Sequence, residues 1–157
     1  MLERVCRCAA TVGSAKGSTD LMSASRSRQK ESGSGVLSIS KEFHFSASHQ
    51  LDHLPPDHPC SRLHGHNYVI VLELSAKRAD LTRPGFVRDY GELSIFKKWL
   101  DETVDHRNLN DVLDGRNPSA ENIAMWVHDI WSETFPELTA VRVSETPKTW
   151  AVYRPGE

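Results

Sequence analysis

The chain is poor in cysteine, in long apolar runs and in net charge. Only three of 157 residues are cysteine, Cys6, Cys8 and Cys60. A count that small and odd excludes a disulfide framework. No stretch approaches the roughly 18 apolar residues of a membrane span, so no membrane association is expected. The first residues lack the apolar core of a secretory signal, which points to a cytoplasmic protein. Nineteen Lys/Arg stand against 21 Asp/Glu, a formal charge of −2. That balance argues against a nucleic-acid partner. Aromatic residues are absent from the first 36 positions, where seven serines and four glycines crowd Gly13 to Gly35. A segment this polar cannot bury enough apolar surface to offset its ordering entropy. Residues 1–36 are therefore expected to form a disordered leader of net charge +3, and residues 37–157 a single domain of −5. Cys6 and Cys8 fall in the leader, where a lone Cys-x-Cys is a weak metal signal.

What is abundant is histidine: eight residues, all between His44 and His128. The periodicity around them is readable. Leu37, Ile39, Phe43, Phe45, Ala47 and His49 share one parity, broken once by Lys41, and predict a strand with one buried face. Gln50 to Pro59 holds three prolines and predicts an irregular loop. His66 to Ser75 alternates again, and a short strand is expected at Phe86 and Val87 after Arg83-Pro84-Gly85. Asp89 and Glu92 resemble a capping box for a helix with Leu93, Phe96, Leu100 and Val104 on one face. A second helix is expected from Ser119, with Trp126 and Trp131 as core or interface residues, and two final strands flank Pro147-Lys148. Grouped strands and grouped helices predict an α+β domain with an antiparallel sheet.

His64-Gly65-His66 places two imidazoles on one face of a strand, about 7 Å apart at a rise of ~3.3 Å per residue. If the first strand is a neighbour, His49 at its end adds a third nitrogen. Three histidines with an open fourth position form the catalytic type of zinc site. Cys60, four residues before His64, fits three roles by spacing: a fourth ligand, a packing residue or a general base. Asp105-His106 suits an oriented proton carrier and equally a histidine at a helix C-terminus. Glu145 shares the parity of Val141 and Val143, and a carboxylate on such a face needs a partner. Either the N–H edge of a heterocycle or an internal arginine would serve.

Taken together, Phe45-Ser46-Ala47-Ser48-His49, Cys60-Ser61-Arg62-Leu63-His64-Gly65-His66-Asn67-Tyr68, Asp105-His106 with Leu109-Asn110-Asp111, and Ser144-Glu145-Thr146 resemble the 6-pyruvoyltetrahydropterin synthase / 6-carboxytetrahydropterin synthase family. The resemblance runs from about Leu37 to Arg154. It implies a tunnelling (T-) fold, an antiparallel sheet with two helices on one face. Three subunits close a barrel, two trimers stack into a homohexamer, and the site lies between subunits. It further implies Zn²⁺ on His49, His64 and His66, Cys60 as general base, Asp105 and His106 as proton relay, and Glu145 as pterin anchor. Ser119 and Ala120 stand where the family touches the pterin through backbone.

The Cys60-to-His66 spacing is similar to the carboxy branch of the family. That branch turns 7,8-dihydroneopterin triphosphate into 6-carboxy-5,6,7,8-tetrahydropterin, releasing acetaldehyde and triphosphate toward queuosine and other deazapurines. The pyruvoyl reaction, with triphosphate elimination alone, and a non-catalytic zinc- or pterin-binding module are the alternatives. Arg62, Lys148 and Arg154 are candidate cations for the triphosphate.

Overall fold

The computed structural model describes residues 35–113 and 115–156. The expected leader lies outside them, apart from Gly35 and Val36. Five strands form one sheet in the order β3 (Arg107–Asn108), β1 (Val36–His49), β2 (His64–Lys77), β4 (Leu138–Thr146), β5 (Thr149–Tyr153). Strand β1 (Val36–His49) and β2 (His64–Lys77) are long antiparallel partners, in register from Val36↔Lys77 to His49↔His64. Strand β4 (Leu138–Thr146) pairs antiparallel with β2 and with β5 (Thr149–Tyr153). Helix α1 (Ser94–Thr103) and helix α3 (Ala120–Trp131) contribute their apolar faces to the core. Among the described residues no helix is long and apolar enough to cross a membrane.

Alternation along the strands builds the core. Phe43, Phe45 and Ala47 of β1 stand beside Ile70, Tyr68 and His66 of β2, and Val141 and Val143 of β4 extend the same layer. From α1, Phe96 and Leu100 close over it, one turn apart and essentially unexposed. Burying a side chain of that size stabilises the fold by about 1.5–3 kcal/mol. Trp126 and Trp131 are buried core residues, with Trp131 against Phe96 at 5.3 Å and stacked on Phe135 at 5.2 Å.

Three local expectations are corrected. Asp89 caps a 3-10 turn, Tyr90–Leu93, by accepting from the Gly91 N–H, and α1 starts only after it. Glu92 does not reach back to complete a box but bonds Arg88 instead. Phe86 and Val87 form no strand. The Thr82 N–H donates to the Phe86 carbonyl across a tight loop, which Gly85 closes at φ +94, so no neighbouring strand is engaged. Finally, the sheet is mixed. After α1 the chain lays two residues, β3 (Arg107–Asn108), parallel to β1 at Ala47 and Ser48, followed by the single turn α2 (Leu109–Val112).

Candidate active site

The three histidines end the buried face of the β1–β2 ladder. Cross-strand pairing sets His49 opposite His64, and Ala47 opposite His66. His49 is 1% exposed. Its Nδ1 lies 2.7 Å from the Pro118 carbonyl oxygen, and His64 Nδ1 lies 2.7 Å from the Arg62 carbonyl oxygen. A carbonyl only accepts, so both Nδ1 atoms carry the proton and both Nε2 atoms present lone pairs. Those two lone pairs face each other at 3.1 Å. That arrangement is repulsive unless a cation lies between them. With His66, the three donor atoms fall within 4.8 Å of one another. Burial first, then His49 and His64, holds the His66 imidazole below the usual histidine range, which favours the lone-pair form. Ligand bonds of about 2.0–2.1 Å in a tetrahedral site would set nitrogens roughly 3.3 Å apart. The donor set therefore fits a divalent metal ion, and the two backbone carbonyls act as the outer partners that orient such ligands.

Cys60 sits in a 3-10 turn, Pro59–Ser61, entered through Pro59. Its N–H donates to His58 Nδ1 at 3.1 Å, a role for His58 that spacing alone did not suggest. Its carbonyl accepts the Leu51 N–H at 2.9 Å. The thiol is free and half-buried, and it shares a cavity of about 570 Å³ with Arg62, Leu63, His64 and His66. Two asparagines hold the loop that carries it. Asn110 accepts from the Gln50 N–H and donates to the Gln50 carbonyl, both at 2.8 Å. Asn117 does the same to Asp52, at 2.9 and 3.0 Å. Leu51, from which the Cys60 turn hangs, lies between these clamps. Sequence reasoning gave neither asparagine a role, although Asn110 belongs to the Leu109-Asn110-Asp111 motif.

Glu145, near the end of β4, lines a cavity of about 310 Å³ with Leu51, Ser119, Ala120, Glu121 and Thr149. Ser119 caps α3 by accepting from the Asn122 N–H at 3.4 Å. Burial raises the Glu145 carboxyl above the usual range, with Glu121 adding to the shift and the nearby His49 and His64 opposing it. Among the described residues no arginine and no hydrogen-bond donor meets this carboxylate, which removes the internal-arginine reading. Beside it the Tyr68 hydroxyl is buried and meets no partner among the described residues. Burial, and then the Glu145 charge, push that phenol well above the usual tyrosine range.

Asp105 and His106 stand elsewhere. Asp105 Oδ1 accepts the Ser46 N–H at 2.8 Å, and Oδ2 lies 2.9 Å from His106 Nδ1. The Ser46 amide first, then His106 and Lys97, holds the Asp105 carboxyl below the usual range. The His106 N–H returns to the Ser46 carbonyl at 2.6 Å, with His106 at φ +57. The His106 side chain is exposed and lines a cavity of about 440 Å³ with Ser46, Ser48, Asn67 and Arg107. Ser46 and Ser48 alternate with Ala47 and His49, so this cavity opens on the other side of β1 and shares only His66 with the Cys60 cavity. One chain thus brings together His49, His64, His66 and Cys60, with Glu145 close by, and leaves the Asp105–His106 pair apart. His44 pairs with Glu42 at 2.9 Å on the surface, and His128 packs on Tyr153.

Comparison with known proteins identifies the family and the fold. Residues 38–156 match the family model described as 6-pyruvoyl tetrahydropterin synthase. The 6-carboxy-5,6,7,8-tetrahydropterin synthase of Synechocystis sp. is 38% identical over 122 residues, covering 73% of this chain and 91% of that protein. The enzyme of the same name from Bacillus subtilis is 30% identical over 129 residues, covering 74% and 84%. Among solved structures, Caenorhabditis elegans 6-pyruvoyl tetrahydropterin synthase superposes with a TM-score of 0.67 at 25% identity, covering 78% of this chain and 97% of that one. The histidine cluster thus closes a fold shared with these synthases, and the chain belongs to the 6-pyruvoyl tetrahydropterin synthase family.

Proposed function

We propose that the protein is a lyase of the 6-carboxy-5,6,7,8-tetrahydropterin synthase type, taking 7,8-dihydroneopterin triphosphate and one water to the 6-carboxy product, acetaldehyde and triphosphate, a step toward queuosine. The observation that carries this reading is the meeting of Cys60, three clustered histidines and a carboxylate that meets no protein partner among the described residues around one region. The relatives from Synechocystis and Bacillus bear the same name.

In this reading Glu145 accepts the N–H and NH₂ of the pterin edge, a bidentate contact that its missing arginine leaves vacant. Orientation by that contact places the substrate side chain beside Cys60. Cys60, held in place through Leu51 by the Asn110 and Asn117 clamps, takes a proton from the substrate side chain as general base. The ion that His49, His64 and His66 hold, proposed as Zn²⁺, supplies Lewis acidity toward the side-chain hydroxyls when bound. Asp105 orients His106 to return a proton.

For that last role the Asp105–His106 pair must come from a neighbouring copy. The sheet offers the means. Among the described residues β5 is a free edge, and β1 is covered by β3 at only Ala47 and Ser48. Open edges of this kind pair with another strand. We take the working unit to be the domain expected over 37–157, which β1 extends by one residue to Val36, with the residues before it as a leader, assembled as a homohexamer of two trimers in the cytoplasm.

Incubation of the zinc-loaded protein with 7,8-dihydroneopterin triphosphate tests the reading. Acetaldehyde and triphosphate in equal amounts are expected. Triphosphate without acetaldehyde would establish the pyruvoyl reaction instead. Full turnover by Cys60→Ala would refute the assignment of the base.

A further inference from the structure

The two cavities flanking the histidine cluster differ in chemical character. The Glu145 cavity carries two carboxylates, Glu121 and Glu145, and no cation in its lining. The Cys60 cavity carries no carboxylate and one guanidinium, that of Arg62. Arg62 is exposed, and among the described residues no carboxylate pairs with it. Its backbone is nonetheless fixed. The Arg62 N–H donates to the Pro59 carbonyl at 3.3 Å, and its own carbonyl accepts His64 Nδ1–H at 2.7 Å. A charged side chain with no internal partner is thus anchored one residue from Leu63 and two from a metal-ligand candidate. The other cations of interest are placed differently. Arg154 meets Glu73 at 2.8 Å, Lys148 lies in the β4–β5 turn, and Arg107 belongs to the His106 cavity.

A site that is anionic at one end and cationic at the other suits a ligand of opposite polarity: an N–H-rich heterocycle joined to a polyanionic arm. We propose that Arg62 is the phosphate-binding residue of the Cys60 cavity, engaging the oligophosphate arm of the substrate whose heterocycle Glu145 holds. The guanidinium fork matches two phosphate oxygens at once, which a lysine cannot reproduce. This inference rests on the reading given under Proposed function.

The test compares the full-length, zinc-loaded protein with Arg62→Gln and Arg62→Lys. Steady-state turnover of 7,8-dihydroneopterin triphosphate is measured, and inorganic tripolyphosphate binding is measured separately by calorimetry. A charge-assisted contact predicts that Arg62→Gln raises KM about 10-fold or more while kcat changes little, with Arg62→Lys between the two. Tripolyphosphate affinity should fall by the same factor, and the affinity for unphosphorylated 7,8-dihydroneopterin should not change. Equal KM and equal tripolyphosphate affinity in all three proteins would overturn the proposal, placing the phosphates on the metal or on another copy. A wild-type protein that binds tripolyphosphate through Arg62 but does not turn over the substrate would leave the anion site standing and remove the proposed reaction. A fall in kcat at constant KM would assign Arg62 to the chemical step and also overturn the proposal.

Discussion

Gly65 separates two candidate metal ligands, and its replacement by alanine should loosen the site by a calculable amount. A Cβ added there would lie 3.2 Å from the Ala47 carbonyl oxygen and 3.8 Å from Ser48 Cα, all β1 backbone. Contacts at 3.2 Å require the neighbour to yield by a few tenths of an ångström, and a strand backbone in a ladder yields poorly. Overpacking of this kind costs about 1–3 kcal/mol. The alanine also restricts the unfolded chain, which returns about 0.4–1 kcal/mol. The net loss is then up to about 2.5 kcal/mol, near 4 °C of melting temperature per kcal/mol for a domain of this size. The functional effect should be larger, because the displaced rung, Ser48↔Gly65, adjoins His49↔His64. Moving β1 there lengthens the 3.1 Å gap between the two Nε2 atoms, while Pro118 holds His49 from behind. Perturbing the support of a ligand weakens metal binding by about 10- to 100-fold. Competition with a chromophoric chelator measures the affinity, and melting with and without metal separates affinity from stability. Wild-type metal affinity in Gly65→Ala would refute the argument that strand spacing sets the ligand geometry.

Other perturbations separate the parts of the site. Asn117→Ala removes both bonds to Asp52, at a cost of about 1–2 kcal/mol. It should lower kcat and alter the iodoacetamide reaction rate of Cys60 with metal content unchanged, and Asn117→Asp, which keeps the acceptor, should be milder. Tyr68→Phe deletes a buried hydroxyl that makes no bond among the described residues, so stability should hold or rise by about 1 kcal/mol; a marked drop in melting temperature would show a hidden partner. Because the Asp105 carboxyl is depressed in the fold, its stabilisation is present above the unfolded value, near 4, and is lost as pH falls through the folded value. Asp105→Asn should flatten that acid-side loss in melting scans. The raised Glu145 carboxyl sets the opposite expectation for activity: its anion disappears at higher pH than for an ordinary glutamate, so the acid limb of kcat/KM should lie above the usual carboxylate range and vanish in Glu145→Gln.

Which features could be read in advance follows from the range of the interactions involved. The β1–β2 pair and the three histidines were legible because alternation and the two-residue spacing of His64 and His66 are local, and adding His49 needed only that neighbouring strands be adjacent. The second helix was legible from Ser119 and its apolar stripe. β3 was not, since two residues carry no period and their pairing with Ala47 and Ser48 is set by how α1 ends. The asparagine clamps were equally silent. Asn110 and Asn117 act across 60 and 65 residues on backbone groups, which leave no mark on the identity of their partners. The displacement of Asp105 and His106 from Cys60 has the same origin: adjacency in sequence orients the pair, but the side of β1 on which it falls depends on the Ser46 amide and carbonyl that grip it. The candidate ligand-binding residues were therefore visible as chemistry, whereas those that position them were visible only once the backbone was in place. That difference predicts where substitutions will be misjudged from sequence: at Asn110, Asn117 and Gly65, which would otherwise pass for ordinary loop and strand residues.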